Sequence, residues 1–314
     1  MKTEERTKKT MKMKKMIAMA MMAVMAMGAV TGCGSSSAEA EKDTFTIAYA
    51  PNESTTESAD ARQGLAEDLG ELLGVEVEEI QASDYNAIIE ALRTGNADMA
   101  YMGSMAVALA SERANAEPIV MKAPNGNKDE AIYHSVLITR ADNDEINSIK
   151  DIKGKTMAFV DPDSTSGNLV PTSDIMDAFP EENLDSDKLH TNGEFFEAVS
   201  FSGKHQAGLQ AVIKGDVDVV PISDQILASE IANGNAKASD IKVIHSSAAI
   251  PAEAIVIGET VDADLRETLL DFLTNYDNEA YFTDVIKVEG ARFVECTLDD
   301  YAPIITLNKN INAE

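Results

Sequence analysis

Two ten-residue segments of this chain resemble each other, and this repeat limits the possible folds more than any other feature. Residues 91–100 (ALRTGNADMA) and 211–220 (AVIKGDVDVV) lie 120 positions apart. Each reads as a helix end, a glycine turn, an aspartate and a buried strand. Helices joined to strands in this way build α/β sheets. The repeat therefore predicts two α/β units of similar construction.

The patterns around the first copy point to the same class. The predicted elements are strands over 44–49, 75–78 and 97–101, and helices over 58–73, 265–276 and 281–288, with a closing segment from Tyr301. Strands that alternate with helices predict a mostly parallel sheet covered on both faces. Two extended apolar runs, 133–138 and 250–257, are expected to carry the chain between the two units.

The same offset pairs side chains beside the repeated elements. Tyr85 heads the first helix and His205 the second, while Ser104 follows the first strand and Asp224 the second. Ligands of open α/β sheets bind at the carboxyl ends of the strands, beside helix N-termini. These four residues are therefore candidate ligand contacts, and they line one cleft if the two edges face each other.

A further candidate site is the loop at 161–171 (DPDSTSGNLVP), which follows a predicted strand at 156–160. Ser164, Thr165 and Ser166 offer hydroxyl donors where a helix begins, and Gly167 allows a close backbone approach. A helix start presents unpaired N–H groups and binds phosphate-like anions without a lysine. The alternative is an ordinary Ser/Thr helix cap.

The N-terminal region predicts export. A basic segment precedes the apolar run 16–30, as in a signal peptide, with translation beginning at Met1 or Met11. The run ends in Val-Thr-Gly-Cys33, which resembles the lipobox of bacterial lipoproteins. We therefore expect residues 1–33 to be a lipoprotein signal with Cys33 lipidated, and 34–43 to be a flexible linker. The mature protein is then extracytoplasmic and anchored to the cell membrane.

The charge of the chain excludes some partners. The net charge is −28, and removal of residues 1–32, with seven basic and two acidic side chains, makes it −33. This argues against nucleic acid or an anionic lipid surface as a partner. No phosphate-binding G-x-x-x-x-G-K-[ST] run is present, and we predict no cofactor. With Cys33 acylated, Cys296 has no cysteine with which to form a disulfide.

Four segments together resemble the solute-binding lipoproteins of phosphate, phosphite and phosphonate ABC importers. They are 82–89 (ASDYNAII), 133–137 (YHSVL), 161–167 (DPDSTSG) and 250–253 (IPAE), and the resemblance extends from about 45 to 303. The third segment is the most specific. The resemblance implies a two-lobed type II periplasmic-binding-protein fold, with two mixed sheets flanked by helices and a two-strand hinge. Lobe 1 would comprise 44–135 and 250–314, and lobe 2 would comprise 136–249.

The resemblance also implies residue roles. The expected contacts with a phosphorus oxyanion are Ser164, Thr165, Ser166, Tyr85, His205 and Tyr133. Glu253, and less securely Asp224, match positions that hold the amine of aminoalkylphosphonates. An opposite charge nearby favours the protonated form of His205. Hinge closure would trap the ligand, and a monomeric protein would deliver it to a membrane permease with its ATPase subunits.

Other functions remain open from the sequence. Tyr85, Tyr133, His205, Asp224 and Glu253 carry groups that a ferric site would use. An enzyme on this fold would pair His205 with Asp224 or Glu253, and would use Cys296 as nucleophile. A sensor ectodomain is a third possibility. Phosphate, phosphite, methylphosphonate and aminoalkylphosphonate are not distinguished.

Overall fold

The computed structural model describes residues 44–53 and 56–312. The predicted signal peptide, Cys33 and the whole predicted linker lie outside the described residues. Among the described residues, none of the helices combines the length and apolarity needed to cross a membrane.

The strands of the structure are β1 (Thr44–Tyr49), β2 (Glu76–Gln81), β3 (Met99–Met102), β4 (Glu117–Pro124), β5 (Ile132–Tyr133), β6 (Ser135–Arg140), β7 (Thr156–Phe159), β8 (Ala198–Phe201), β9 (Val220–Ser223), β10 (Ile241–Ser246), β11 (Ile250–Pro251), β12 (Ala254–Ile257) and β13 (Ala291–Glu295). The α-helices are α1 (Ala59–Leu73), α2 (Tyr85–Arg93), α3 (Ser104–Ala114), α4 (Val170–Ala178), α5 (Ser186–His190), α6 (His205–Lys214), α7 (Asp224–Ala232), α8 (Ala263–Thr274) and α9 (Ala302–Ile311). Two wide π-helical turns span Thr165–Leu169 and Tyr281–Val285.

The larger sheet has six strands in the order β13-β4-β12-β3-β1-β2. β1 pairs in parallel with β2 and β3, whereas β12 is antiparallel to β3 and β4, and β13 is antiparallel to β4. The expectation of a mostly parallel sheet is therefore wrong. The reason is topological: β12 returns from the second sheet in the opposite direction and inserts between β3 and β4. The result is a mixed sheet.

The smaller sheet lies within the segment between β5 and β11. Its strands have the order β10-β6-β9, all antiparallel, and β7 pairs in parallel with β8. A parallel bridge between Met157 and Val219 joins β7 to the segment leading into β9. Taken together across this bridge, the two groups of strands are a mixed arrangement.

Two short strands connect the sheets. β5 and β11 pair antiparallel, with Ile250 opposite Tyr133 and Pro251 opposite Ile132. β5 leads from the larger sheet into β6, and β11 leads from β10 back into β12. Both predicted connecting runs therefore carry the chain between sheets.

Helices bury apolar side chains on both faces of the larger sheet. Alternate residues of β1 point to opposite faces, so Ala48 joins one core cluster while Ile47 and Tyr49 join another. α2, α3 and α9 cover the first face, and α1 and α8 cover the second. Each buried leucine of α1, Leu65 and Leu69, contributes about 1.5–3 kcal/mol by leaving water.

The internal repeat corresponds to a repeated structure. α2 and α6 begin 120 positions apart, at Tyr85 and His205, and each is followed by a buried strand and another helix. Gly95 and Gly215 end the two helices with φ values of 71° and 79°, which L-residues with a side chain adopt at a cost. The helix–glycine–strand reading of both copies is confirmed.

Candidate functional site

The Ser-Thr-Ser loop begins a helix, as predicted, but through a wider first turn. The π turn 165–169 leads directly into α4, and the Ser164 side chain caps the turn by accepting a hydrogen bond from Gly167 N at 3.1 Å. A Cβ atom added to Gly167 would lie 2.3 Å from Val160 Cβ. Only glycine therefore allows the loop to contact Val160, at the end of the preceding strand. This contact holds the hydroxyls of the loop in place.

This loop forms one wall of a small cavity. Its volume of about 20 Å³ is the space of about one water molecule. The lining residues are Ala50, Asn52, Glu53, Tyr85, Gly103, Tyr133, Ser164, Thr165, Ser166, His205, Ile226 and Glu253. The structure thus brings together seven of the predicted site residues from distant parts of the sequence.

Two of the loop hydroxyls are oriented by backbone N–H groups. Ser164 Oγ accepts from Gly167 N, and Thr165 Oγ1 accepts from Met105 N at 2.8 Å. A hydroxyl that accepts a hydrogen bond keeps its own proton to donate. Ser164 and Thr165 therefore each keep a proton that a ligand in the cavity can accept.

The two cavity tyrosines are buried phenols. Burial raises the pKa of Tyr85 and of Tyr133 well above the usual value for tyrosine, so both remain protonated donors. The Tyr85 hydroxyl contacts Asn52 Nδ2 and lies beside Ser164. The Tyr133 hydroxyl lies beside Ser166, Thr165 and Ser104.

His205 is neutral in the structure. Burial lowers its pKa to about 4, and the Pro221 backbone carbonyl opposes this effect more weakly. Its Nε2 lies 3.4 Å from Ser166 Oγ. The charged His205 expected from the sequence would therefore require the field of a bound anion to overcome its burial.

Two lining residues with polar side chains, Asn52 and Glu53, were not among the predicted contacts. They follow β1 directly, at the same carboxyl edge of the sheet that identified Ser104. Asn52 Oδ1 accepts from His205 N at 3.1 Å, and its Nδ2 contacts Tyr85. Asn52 therefore joins α2 on the larger sheet to α6 on the smaller one. The rule that ligands bind beyond strand ends, applied to β1, would have found both residues.

Glu253 lines the cavity but already has a cationic neighbour. Lys122 Nζ lies 2.6 Å from Glu253 Oε2, and both side chains are largely buried. The contact is an ion pair whose angles do not form a hydrogen bond. A ligand amine would have to compete with this lysine for the carboxylate.

Asp224 and Ser104 are not among the cavity-lining residues. The Asp224 carboxylate turns toward His134, accepting from its backbone N at 3.0 Å and lying 3.2 Å from its Nδ1. Ser104 Oγ donates to the Pro251 carbonyl at 2.5 Å and supports Tyr133 from behind. The sequence correctly placed both residues at the starts of helices. It did not predict the direction in which their side chains point.

The residues of the alternative chemistries are only partly assembled. Tyr85, Tyr133, His205 and Glu253 of the ferric set line the cavity. Asp224 faces His134 instead, and Glu253 contacts Lys122. Within residues 44–53 and 56–312, no group of three or more His, Cys, Asp or Glu side chains is placed to hold a metal ion. Cys296 is fully buried, and burial raises the pKa of its thiol to about 12. A thiol with that pKa is a poor nucleophile.

The cavity favours an anion through neutral groups. Tyr85, Gly103, Thr165 and His205 each lie at or directly before a helix start, where the helix dipole places a partial positive charge. As far as the structure describes the chain, neither lysine nor arginine lines the cavity. Hydroxyls and backbone amides therefore provide most of the donors for a negatively charged ligand.

The comparisons with known proteins point to transport. The family model for ABC transporter, phosphonate, periplasmic substrate-binding proteins matches residues 47–301. The phosphate-import protein PhnD of Mycolicibacterium smegmatis is 30% identical over 262 residues, 82% of this chain and 79% of the relative. The phosphonates-binding periplasmic protein of Escherichia coli is 30% identical over 215 residues, 67% of this chain and 59% of the relative.

Solved structures share the fold. A binding protein component of an ABC phosphonate transporter from Pseudomonas aeruginosa has a TM-score of 0.72 at 24% identity, covering 85% of this chain and 86% of the other. PhnD1 of Prochlorococcus marinus, solved with methylphosphonate, also has a TM-score of 0.72. It is 19% identical, and the match covers 87% of this chain and 99% of the other. The predicted type II periplasmic-binding-protein fold is confirmed.

Proposed function

The chain belongs to the phosphonate family of ABC transporter periplasmic substrate-binding proteins, and we propose that it captures a small phosphorus oxyanion in the cavity described above. One observation carries this proposal: a small cavity lined by three serine and threonine hydroxyls, two tyrosines and four helix starts, and by neither lysine nor arginine among the described residues. A tetrahedral oxyanion offers acceptor lone pairs in several directions, which these donors can satisfy together.

The ligand would be held between two lobes. We assign 44–135 and 250–314 to lobe 1 and 136–249 to lobe 2, with β5 and β11 as the hinge. Bonds that cross between these parts support this assignment, because His205 N donates to Asn52 and Met105 N donates to Thr165. An oxyanion that contacts both parts would stabilise the closed form.

The delivery route follows from the family. A protein of this kind, lipidated at Cys33 and held outside the cytoplasm, would present its ligand as a monomer to a permease driven by ATPase subunits. It would perform no catalysis itself. The buried thiol of Cys296 supports this view, since it is not among the cavity-lining residues.

We propose phosphate, phosphite or methylphosphonate over aminoalkylphosphonates as the ligand. The Lys122–Glu253 ion pair supports this preference, because the lysine already neutralises the carboxylate that would hold an amine. If Glu253 instead binds an amine, Glu253→Gln should reduce the preference for 2-aminoethylphosphonate over phosphite. An unchanged preference in this variant would exclude that role for Glu253.

Isothermal titration of a soluble form, residues 34–314, tests the proposal. The ligands are phosphate, phosphite, methylphosphonate, 2-aminoethylphosphonate, sulfate and ferric citrate. Tight binding of one phosphorus oxyanion supports the proposal and identifies the ligand. Ser164→Ala should weaken every phosphorus ligand, and Ser186→Ala, which changes a serine that does not line the cavity, is the matched control. A response to iron alone would overturn the proposal.

A further inference from the structure

Glu53 is a buried carboxyl group with an unused hydrogen-bonding atom in the candidate site. Its residue is 9% exposed, and it lines the same cavity as the Ser-Thr-Ser loop. Among residues 44–53 and 56–312, nothing forms a hydrogen bond with its Oε2 atom. A buried polar atom left unpaired costs about 1–3 kcal/mol, so its retention calls for an explanation.

The backbone of Glu53 is held firmly, which fixes where its side chain begins. The Glu53 carbonyl accepts from Ser58 Oγ at 2.6 Å and from Arg62 Nη1 at 2.7 Å. Arg62 also donates through Nε to Glu79 at 3.0 Å. In these contacts, the guanidinium bonds to the backbone oxygen of Glu53 and to the carboxylate of Glu79.

A second carboxyl group and two lysines surround Glu53. Glu253 lies nearby, and Lys122 is paired with Glu253 at 2.6 Å. The other groups that face Glu53 are Lys287, Tyr85, Tyr101 and Tyr281. Burial, followed by the Glu253 carboxylate, raises the pKa of Glu53 to about 8, and the two lysines oppose this effect. At neutral pH Glu53 is therefore mostly an uncharged acid that can donate a hydrogen bond.

We infer that Glu53 contacts the bound oxyanion and that one proton is shared between its carboxyl group and an oxyanion oxygen. This inference rests on the proposed function and adds a specificity residue to it. Glu53 donates when the ligand arrives fully ionised, and it accepts when the ligand brings the proton itself. No covalent bond changes. The complex holds one proton at this contact, because an ionised Glu53 facing a fully ionised ligand would be repelled.

Proton sharing has a measurable consequence at alkaline pH. Above a pH of about 8, free Glu53 is ionised, and phosphite and methylphosphonate are dianions with no acidic proton left. Each binding event with these two ligands therefore takes up one proton from solution. The affinity should then fall about tenfold per pH unit. His205, with its pKa lowered to about 4, stays neutral in this range, and the raised pKa values of Tyr85 and Tyr133 keep both phenols protonated.

The experiment is titration calorimetry of the purified protein with phosphite and methylphosphonate between about pH 7 and 10, in pairs of buffers with different ionisation enthalpies. The wild type should show the alkaline fall in affinity and an uptake approaching one proton. Glu53→Gln keeps the shape and the donor but cannot ionise, so its affinity should stay within a few-fold of its neutral-pH value throughout. Glu194→Gln, an exposed glutamate outside the cavity, should follow the wild type.

The outcomes separate this inference from the proposed function. Binding of phosphite or methylphosphonate with a flat alkaline profile in the wild type would overturn the inference and leave the function standing. The same alkaline fall in Glu53→Gln, or loss of all binding in a folded Glu53→Gln, would also overturn it. Absence of oxyanion binding at every pH would reject the function itself. The number of protons that the wild type takes up on binding tests the inference even if Glu53→Gln does not fold.

Discussion

Glu53 should make the stability of the ligand-free protein depend on pH, and glutamine at this position should remove that dependence. Burial and the Glu253 carboxylate raise the pKa of Glu53 from 4.5 to about 8. The unfolded chain exposes the same group, which then titrates near its ordinary value. Between these two pH values the folded protein keeps a proton that the unfolded chain has released.

The sign and size of the effect follow from this difference. The stabilising contribution of the Glu53 proton is fully present below pH 4.5 and is lost as the pH rises through about 8. Burial of His205 lowers its pKa from 6.5 to about 4 in the folded protein. Below pH 6.5, His205 therefore makes the folded protein more stable as the pH rises, which opposes the effect of Glu53. The effect of Glu53 on stability is therefore clearest between pH 6.5 and pH 8. At about 1.4 kcal/mol per pH unit, Glu53 should lower the free energy of unfolding there by about 2 kcal/mol.

Urea unfolding followed by circular dichroism at about pH 6.5, 7.3 and 8 measures this change. The wild type and the exposed control Glu194→Gln should both lose about 2 kcal/mol across the series, whereas Glu53→Gln should lose much less. Equal free energies for the wild type at both ends would refute the reasoning. So would a loss in Glu53→Gln as large as that of the wild type.

Four further predictions concern other parts of the molecule. Gly167→Ala should lower the free energy of unfolding by about 1–3 kcal/mol, because its Cβ would overlap Val160; an unchanged urea midpoint would contradict this. Thr165→Val should weaken every phosphorus oxyanion by about 1–3 kcal/mol in calorimetry, and selective weakening of one ligand would argue against a shared donor. Lys122→Met should destabilise the protein by about 3–5 kcal/mol at neutral pH by leaving a buried carboxylate unpaired, which thermal unfolding can check against the wild type. Cys296 should react with a thiol reagent only after unfolding, because it is buried and the pKa of its thiol is raised to about 12; rapid labelling of the native protein would contradict this.

Much of the site could be predicted because it depends on repeated local structure. Tyr85 and His205 begin equivalent helices, so one offset in the sequence located both. The Ser-Thr-Ser loop was recognisable because a strand, three hydroxyls and a helix start follow one another directly. In each case the relevant interactions lie within a few residues of the predicted element.

The unpredicted parts depend on contacts between distant segments. Asp224 occupies the expected helix start, yet its carboxylate turns to His134, 90 positions earlier. The pairing of Lys122 with Glu253 arises because β12 returns beside β4, which is also why the larger sheet is mixed. Local patterns indicate which strand ends carry polar groups, but not which side chains meet across a sheet.

The acidic balance of the chain bears on how quickly an anion reaches the cavity. The full sequence carries a net charge of −28, while the cavity offers mainly neutral donors to hold the ligand. Repulsion from the surface therefore slows the encounter, and salt screens that repulsion over a Debye length of about 8 Å at physiological ionic strength. Association should become faster as salt is added, the reverse of the behaviour of a site built from lysine and arginine. A protein of this kind would capture its anion most rapidly in salty surroundings.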